Sequence, residues 1–123
     1  MKIFRIMTLI TALCSLFGCQ SNGFKTVNAE EFARTIAQPE VQLVDVRTAN
    51  EFAEGHIPDA VNMDVTADAF ASQITSLDKE QPVAIYCRSG RRSKLAAKQM
   101  AAAGYQVTEL DGGIGSWQGE VVK

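Results

Sequence analysis

The stretch that most constrains the fold is Val83–Ser93, which reads V-A-I-Y-C-R-S-G-R-R-S. Four apolar residues, Val83 to Tyr86, follow Pro82 and run straight into Cys87. Four residues are too few for a helix, and an apolar run behind a proline predicts a buried strand. From Ser93 to Ala103 the chain reads S-K-L-A-A-K-Q-M-A-A-A, dominated by strong helix formers, with Gly104 placed to end the helix. Cys87 therefore falls where a strand ends and a helix begins, the position at which open α/β sheets bind ligands.

That position accounts for the residues around the cysteine. A loop entering a helix N-terminus aims several backbone N–H groups at one spot, and the helix dipole adds positive potential there. Gly90 allows a tight turn and a close approach of backbone to ligand, and Arg88, Arg91 and Arg92 add cationic field. Such surroundings pull a thiol below its ordinary pKa and favour the nucleophilic thiolate. Cys87 reads as a reactive thiol and not as an inert core cysteine.

Three further motifs flank this loop: L-V-D-V-R at Leu43–Arg47, E-F-A-E-G-H-I-P-D-A at Glu51–Ala60, and D-G-G-I-G-S-W at Asp111–Trp117. In this order, the four motifs resemble the rhodanese sulfurtransferases over nearly all of the chain after its leader. The resemblance implies an α/β, three-layer fold, with a central parallel sheet of about five strands and helices on both faces. It implies that Cys87 is the catalytic nucleophile, carrying sulfur as a persulfide between a small anionic, thiosulfate-like donor and a thiophilic acceptor, cyanide or a thiol. Arg88, Ser89, Gly90, Arg91 and Arg92 would form the donor-binding turn, with Asp45, Arg47, Ser93 and Trp117 as supports. Trp117 lines the pocket or packs in the core, both being open. His56, the single histidine, belongs to the G-H-I-P turn and is expected to be structural. Asp59 stands where many relatives have glycine, which alters that turn. No metal or organic cofactor is implied.

Two other readings remain open from the residues. Cell-cycle phosphatases resemble this fold and use the same cysteine, but their loop is C-x5-R. Here Cys87 and Arg92 enclose four residues, a smaller ring suited to sulfur. A persulfide carrier without turnover would show the same loop.

The first residues do not belong to the domain. Lys2 and Arg5 precede an uncharged apolar stretch, Ile6 to Phe17, and L-F-G-C closes it at Cys19. This is the pattern of an export signal over residues 1–18, too short for the ~20 residues of a spanning helix. L-F-G-C resembles the lipobox of bacterial lipoproteins, so Cys19 is the expected lipidation site, with plain secretion and an uncleaved anchor as alternatives. Residues 19–25 form the lipidated cysteine and a polar tether, and 26–123 the rhodanese-like domain. Gln20 in place of aspartate points to the outer membrane, on its periplasmic face.

Losing residues 1–18 removes Lys2 and Arg5 and leaves ten basic against fourteen acidic residues, a net charge of −4. That balance, with no basic stripe outside Arg88–Arg92, excludes a nucleic-acid partner. With Cys14 removed and Cys19 acylated, Cys87 is the remaining thiol, so no internal disulfide can form. A monomer is expected.

Along the domain, Asn28 caps a helix closed by Ile36 and Pro39, and Val41–Val46 reads as a strand. Thr48 with Glu51 repeats the capping pattern before Gly55, and Ala60–Met63 reads as a short strand. A helix is predicted over Thr66–Ile74, a last strand over Gln106–Leu110, and a closing helix around Trp117. Strands alternating with helices imply a parallel sheet.

Overall fold

The computed structural model describes residues 23–123. The export signal at 1–18 and the lipidation site Cys19 lie outside the described residues. The chain runs β1 (Phe24–Val27), α1 (Ala29–Ile36), β2 (Gln42–Asp45), α2 (Ala49–Glu54), β3 (Val61–Asn62), α3 (Phe70–Gln73), β4 (Val83–Tyr86), α4 (Arg91–Ala102) and β5 (Val107–Leu110). One-turn 3₁₀ segments follow at Ile74–Ser76 and Gly113–Ser116. The five strands form one sheet in the order β1-β5-β4-β2-β3, and every pairing is parallel.

Strand alternation divides the core between the two faces. Val83, Ile85 and Cys87 join Val44, Val107 and Met100 of α4 on one side. Ala84 and Tyr86 join Leu43, Leu110 and Phe32 of α1 on the other. The central strand β4 is buried at all four positions, which is why it is apolar throughout and not alternating.

Both predicted caps form. Asn28 Oδ1 accepts from the Glu31 N–H at 2.9 Å. Thr48 and Glu51 make a reciprocal capping box at the start of α2.

Four expectations are corrected. Strand β1 reaches back to Phe24, so Phe24 and Lys25, expected in the tether, pair with Val107 and Thr108 in the sheet. Helix α3 begins at Phe70 and not at Thr66, because Asp64 Oδ1 accepts from both the backbone N–H and the hydroxyl of Thr66 and holds a turn there. Helix α4 begins at Arg91, two residues before Ser93, behind Gly90 in the left-handed region at φ 99°. The closing helix is the single turn Gly113–Ser116, and Trp117 beyond it is already extended.

Candidate active site

Strand β4 delivers Cys87 to the C-terminal edge of the sheet, where the chain turns through Arg88, Ser89 and Gly90 into α4. Gly90 points its N–H at Cys87 Sγ, 3.0 Å away. The loop is braced from behind by the Asp111-Gly112-Gly113 turn, where Ile114 N–H donates to the Cys87 carbonyl at 2.9 Å and Gly115 N–H to that of Arg88 at 3.2 Å. A Cβ at Gly113 would lie 2.5 Å from Arg88 carbonyl atoms, so no larger residue fits without moving the loop. The third sequence motif thus exists to let backbone touch backbone behind the cysteine.

Cys87 is 1 % exposed. Burial is the largest influence on its thiol and pushes the pKa up. The Ser93 hydroxyl, and then the backbone N–H groups of Ser93, Gly90 and Ser89, outweigh it and hold the thiol below its ordinary value. The sequence pointed to inward backbone N–H groups, the helix dipole and the arginines together; in the structure the hydrogen bonds lead, and the Ser93 hydroxyl, expected only as a support, comes before the backbone groups.

The three arginines take different roles. Arg92 is clamped by Glu51, Nη1 to Oε1 at 2.7 Å and Nη2 to Oε2 at 2.9 Å. Its pKa is raised first by that hydrogen bond, with the Cys87 charge contributing. The same clamp holds the Glu51 carboxyl down at about 2. Arg88 lies at the exposed rim, 3.9 Å from Glu51. Arg91 and Ser89 are exposed at the loop and the start of α4. A cavity of about 330 Å³ beside the loop is lined by Arg47, Glu51, Glu54, Gly55, Arg88, Ile114 and Gly115.

Asp45 and Arg47 form a buried ion pair at the end of β2, with Arg47 Nη2 2.7 Å from Asp45 Oδ2 and from the Gly55 carbonyl. Burial opposes the Arg47 charge, yet the Asp45 carboxylate raises its pKa overall. Arg47 also lies over the Tyr86 ring at 5.7 Å, and Tyr86 Oη accepts from Ile57 N–H. Asp45 is in register with Tyr86, the residue before Cys87, so this pair holds the strand end that carries Cys87. His56 stacks on Phe52 and bonds its carbonyl through Nδ1 at 2.9 Å.

Trp117 is not brought to the loop. Its ring meets Phe32 edge-on at 6.2 Å, and its Nε1–H donates to the Glu120 carbonyl. It borders a separate cavity of about 530 Å³ with Ile36, Leu43 and Ile57, which contains none of the loop residues. The extended backbone after Gly113–Ser116 carries the ring to the α1 side of the sheet.

Two residues at the site escaped the sequence reading. Glu51 was absorbed by its capping role. Glu109, fully buried on β5, accepts from the Ser93 hydroxyl at 2.6 Å, and Ser93 in turn lies 3.5 Å from Cys87 Sγ. The signal for Glu109 was a charged residue sharing the inward phase of Val107. Among the described residues, no group of histidine, cysteine and carboxylates is placed to hold a metal.

Known proteins share this architecture. A sulfurtransferase of Allochromatium vinosum is 38 % identical over 93 residues, covering 74 % of this chain and 85 % of its own. The crystal structure of a rhodanese-like domain protein from Staphylococcus aureus superposes with a TM-score of 0.70 at 30 % identity, covering 79 % of this chain and 94 % of that one. A rhodanese-related protein of Thermoplasma volcanium gives a TM-score of 0.72 at 24 % identity over 80 % of this chain and 98 % of its own, a likeness of fold. The profile of the rhodanese-like domain matches residues 28–120, so this chain belongs to the rhodanese-like domain family.

Proposed function

We propose that the chain is a rhodanese-type sulfurtransferase that moves a sulfane sulfur from a thiosulfate-like donor, through a Cys87 persulfide, to cyanide or a thiol. The observation that carries this reading is the Gly90 N–H 3.0 Å from Cys87 Sγ inside a turn only six residues long, Cys87 to Arg92. The Cys87 thiolate attacks the outer sulfur of the donor. A new S–S bond forms, the donor's S–S bond breaks, and sulfite leaves with the electron pair. The acceptor then attacks the outer persulfide sulfur, leaving as thiocyanate or a new persulfide, and the Cys87 thiolate returns. Backbone N–H groups of the loop stabilise the anionic sulfur, and Arg88 and Arg91 at the rim draw in the donor. The relative from Allochromatium vinosum, named a sulfurtransferase, supports the same reading.

The proposal includes location. A signal over 1–18 and the L-F-G-C sequence would leave Cys19 acylated at the periplasmic face of the outer membrane. Only Gln20–Gly23 separate Cys19 from β1, a reach of about 14 Å when extended. The domain would then work against the membrane surface. Steady-state assays with thiosulfate and cyanide, run beside an aryl phosphate, test the chemistry: thiocyanate should appear and phosphate should not. Phosphate release without thiocyanate would overturn the reading.

A further inference from the structure

Among the described residues, Glu109 is the one fully buried acidic side chain between the sheet and α4, and the proposed chemistry does not use it. It pairs in register with Ile85 of β4 and Thr26 of β1, neither of them ionisable. From α4, Ser93 Oγ lies 2.6 Å from its Oε1, and Lys94 Nζ lies 3.4 Å from both its oxygens. Near Cys87, Arg92 at the start of α4 is neutralised by Glu51 of α2 and acted on at longer range by Asp64 from the loop after β3, while Arg88 and Arg91 of the same turn are exposed to solvent. An apolar side chain at position 109 would fill the same space without desolvating a charge.

We propose that Glu109 governs the ionisation of Cys87 through the single hydroxyl proton of Ser93, so that the thiol and the carboxylate share one proton. Cys87 Sγ, Ser93 Oγ and Glu109 Oε1 are linked in sequence at 3.5 and 2.6 Å, and all three residues are buried. The shorter distance lies in the range of a charge-assisted O–H···O⁻ bond. With Cys87 as thiol, S–H donates to Ser93 and Ser93 donates to the Glu109 carboxylate. With both end groups ionised, one hydroxyl proton faces two acceptors and leaves one of them unpaired.

Transfer along the chain removes the conflict. The thiol S–H bond breaks as Ser93 Oγ takes its proton, and the former Ser93 proton forms an O–H bond on Glu109 Oε1. The result is thiolate plus carboxylic acid from thiol plus carboxylate, with no oxidant or co-reactant. Reoriented, Glu109 donates to Ser93 and Ser93 donates to the thiolate. Lys94, whose side chain is 48 % exposed, connects the buried carboxylate to solvent for later proton exchange. Glu109 is thus a positioning residue acting through Ser93. The inference deepens the sulfurtransferase reading and rests on it for its purpose, the supply of a thiolate.

The test needs no sulfur donor, so its failure is separate from failure of sulfur transfer. Alkylation of Cys87 by iodoacetamide, followed in the full chain by mass of the peptide carrying Cys87, reports the thiolate fraction across pH. The native protein should show two rises in rate with pH, as a shared proton requires. Glu109→Gln should show one rise at lower pH, with about tenfold more thiolate at pH 6. In a Ser93→Ala background the same substitution should change the rate less than twofold. A one-proton curve in the native protein overturns the proposal without any variant. An undiminished tenfold effect of Glu109→Gln in the Ser93→Ala background also overturns it, because the charge would then act directly through space.

Discussion

Glu51 holds Arg92 with both carboxylate oxygens, at 2.7 and 2.9 Å, while its Oε1 also accepts from the backbone N–H and hydroxyl of Thr48. One carboxylate therefore caps α2 and neutralises an arginine in the first turn of the helix that opens behind Cys87. Glu51→Gln should free Arg92 for an anionic donor. Steady-state kinetics should show the KM for thiosulfate falling severalfold with kcat little changed, since the added attraction is present before the transition state. A rise in KM would show that the clamp, and not a free guanidinium, shapes the donor site.

The same clamp sets an acid limit on stability. A carboxyl held at about 2 in the folded chain, against 4.5 ordinarily, stabilises the fold above pH 4.5 and loses that contribution as pH falls toward 2. Urea unfolding at neutral pH should find Glu51→Gln less stable than the native chain by about 1–2 kcal/mol. At pH 2 the two proteins should converge. A gap that persists unchanged there would assign the loss to packing.

What the sequence made legible follows from how local each signal is. The strand-cysteine-turn-helix unit is contiguous, so Val83–Tyr86, Cys87 and the amide-lined turn could be read directly, and Leu43–Arg47 carried its ion pair within three residues. Glu109 and Glu51 reach the site only because β5 and α2 pack beside β4 and α4, contacts separated by 16 and 41 positions in the chain. Alternation alone puts Glu109 in the inward phase of Val107, but its partner there, Ser93 of α4, is set by how the helix packs on the sheet. Thr66 was misplaced in a helix because apolar spacing outweighed the local bond from Asp64.

Trp117 provides a check on which cavity serves the chemistry. Its indole packs on Phe32, on the α1 side of the sheet, away from the Cys87 loop. Trp117→Ala should cost about 2 kcal/mol in denaturant titration, less than a fully buried tryptophan, because the ring is half-buried. Kinetic constants for sulfur transfer should stay within twofold of native. A large loss of kcat at unchanged stability would place the ring in the reaction.

Asp59 occupies the left-handed region at φ 72°, third in the turn Ile57–Ala60, which is closed by an Ala60 N–H to Ile57 carbonyl bond. Pro58 before it fixes the turn, and aspartate tolerates that backbone better than most residues. Thermal unfolding should find Asp59→Gly as stable as the native chain or more so, and Asp59→Val less stable by about 1–2 kcal/mol. Equal losses in both variants would show that the carboxylate itself holds the turn.

The central claim is that Cys87 carries sulfur, and mass spectrometry of the protein after exposure to thiosulfate tests it most directly. The native chain should gain one sulfur atom, mapped to the peptide containing Cys87, and lose it to cyanide with release of thiocyanate. Cys87→Ala should gain none at that peptide. The claim is contradicted if Cys87 acquires no sulfur from thiosulfate or any other sulfane donor while the protein hydrolyses an aryl phosphate.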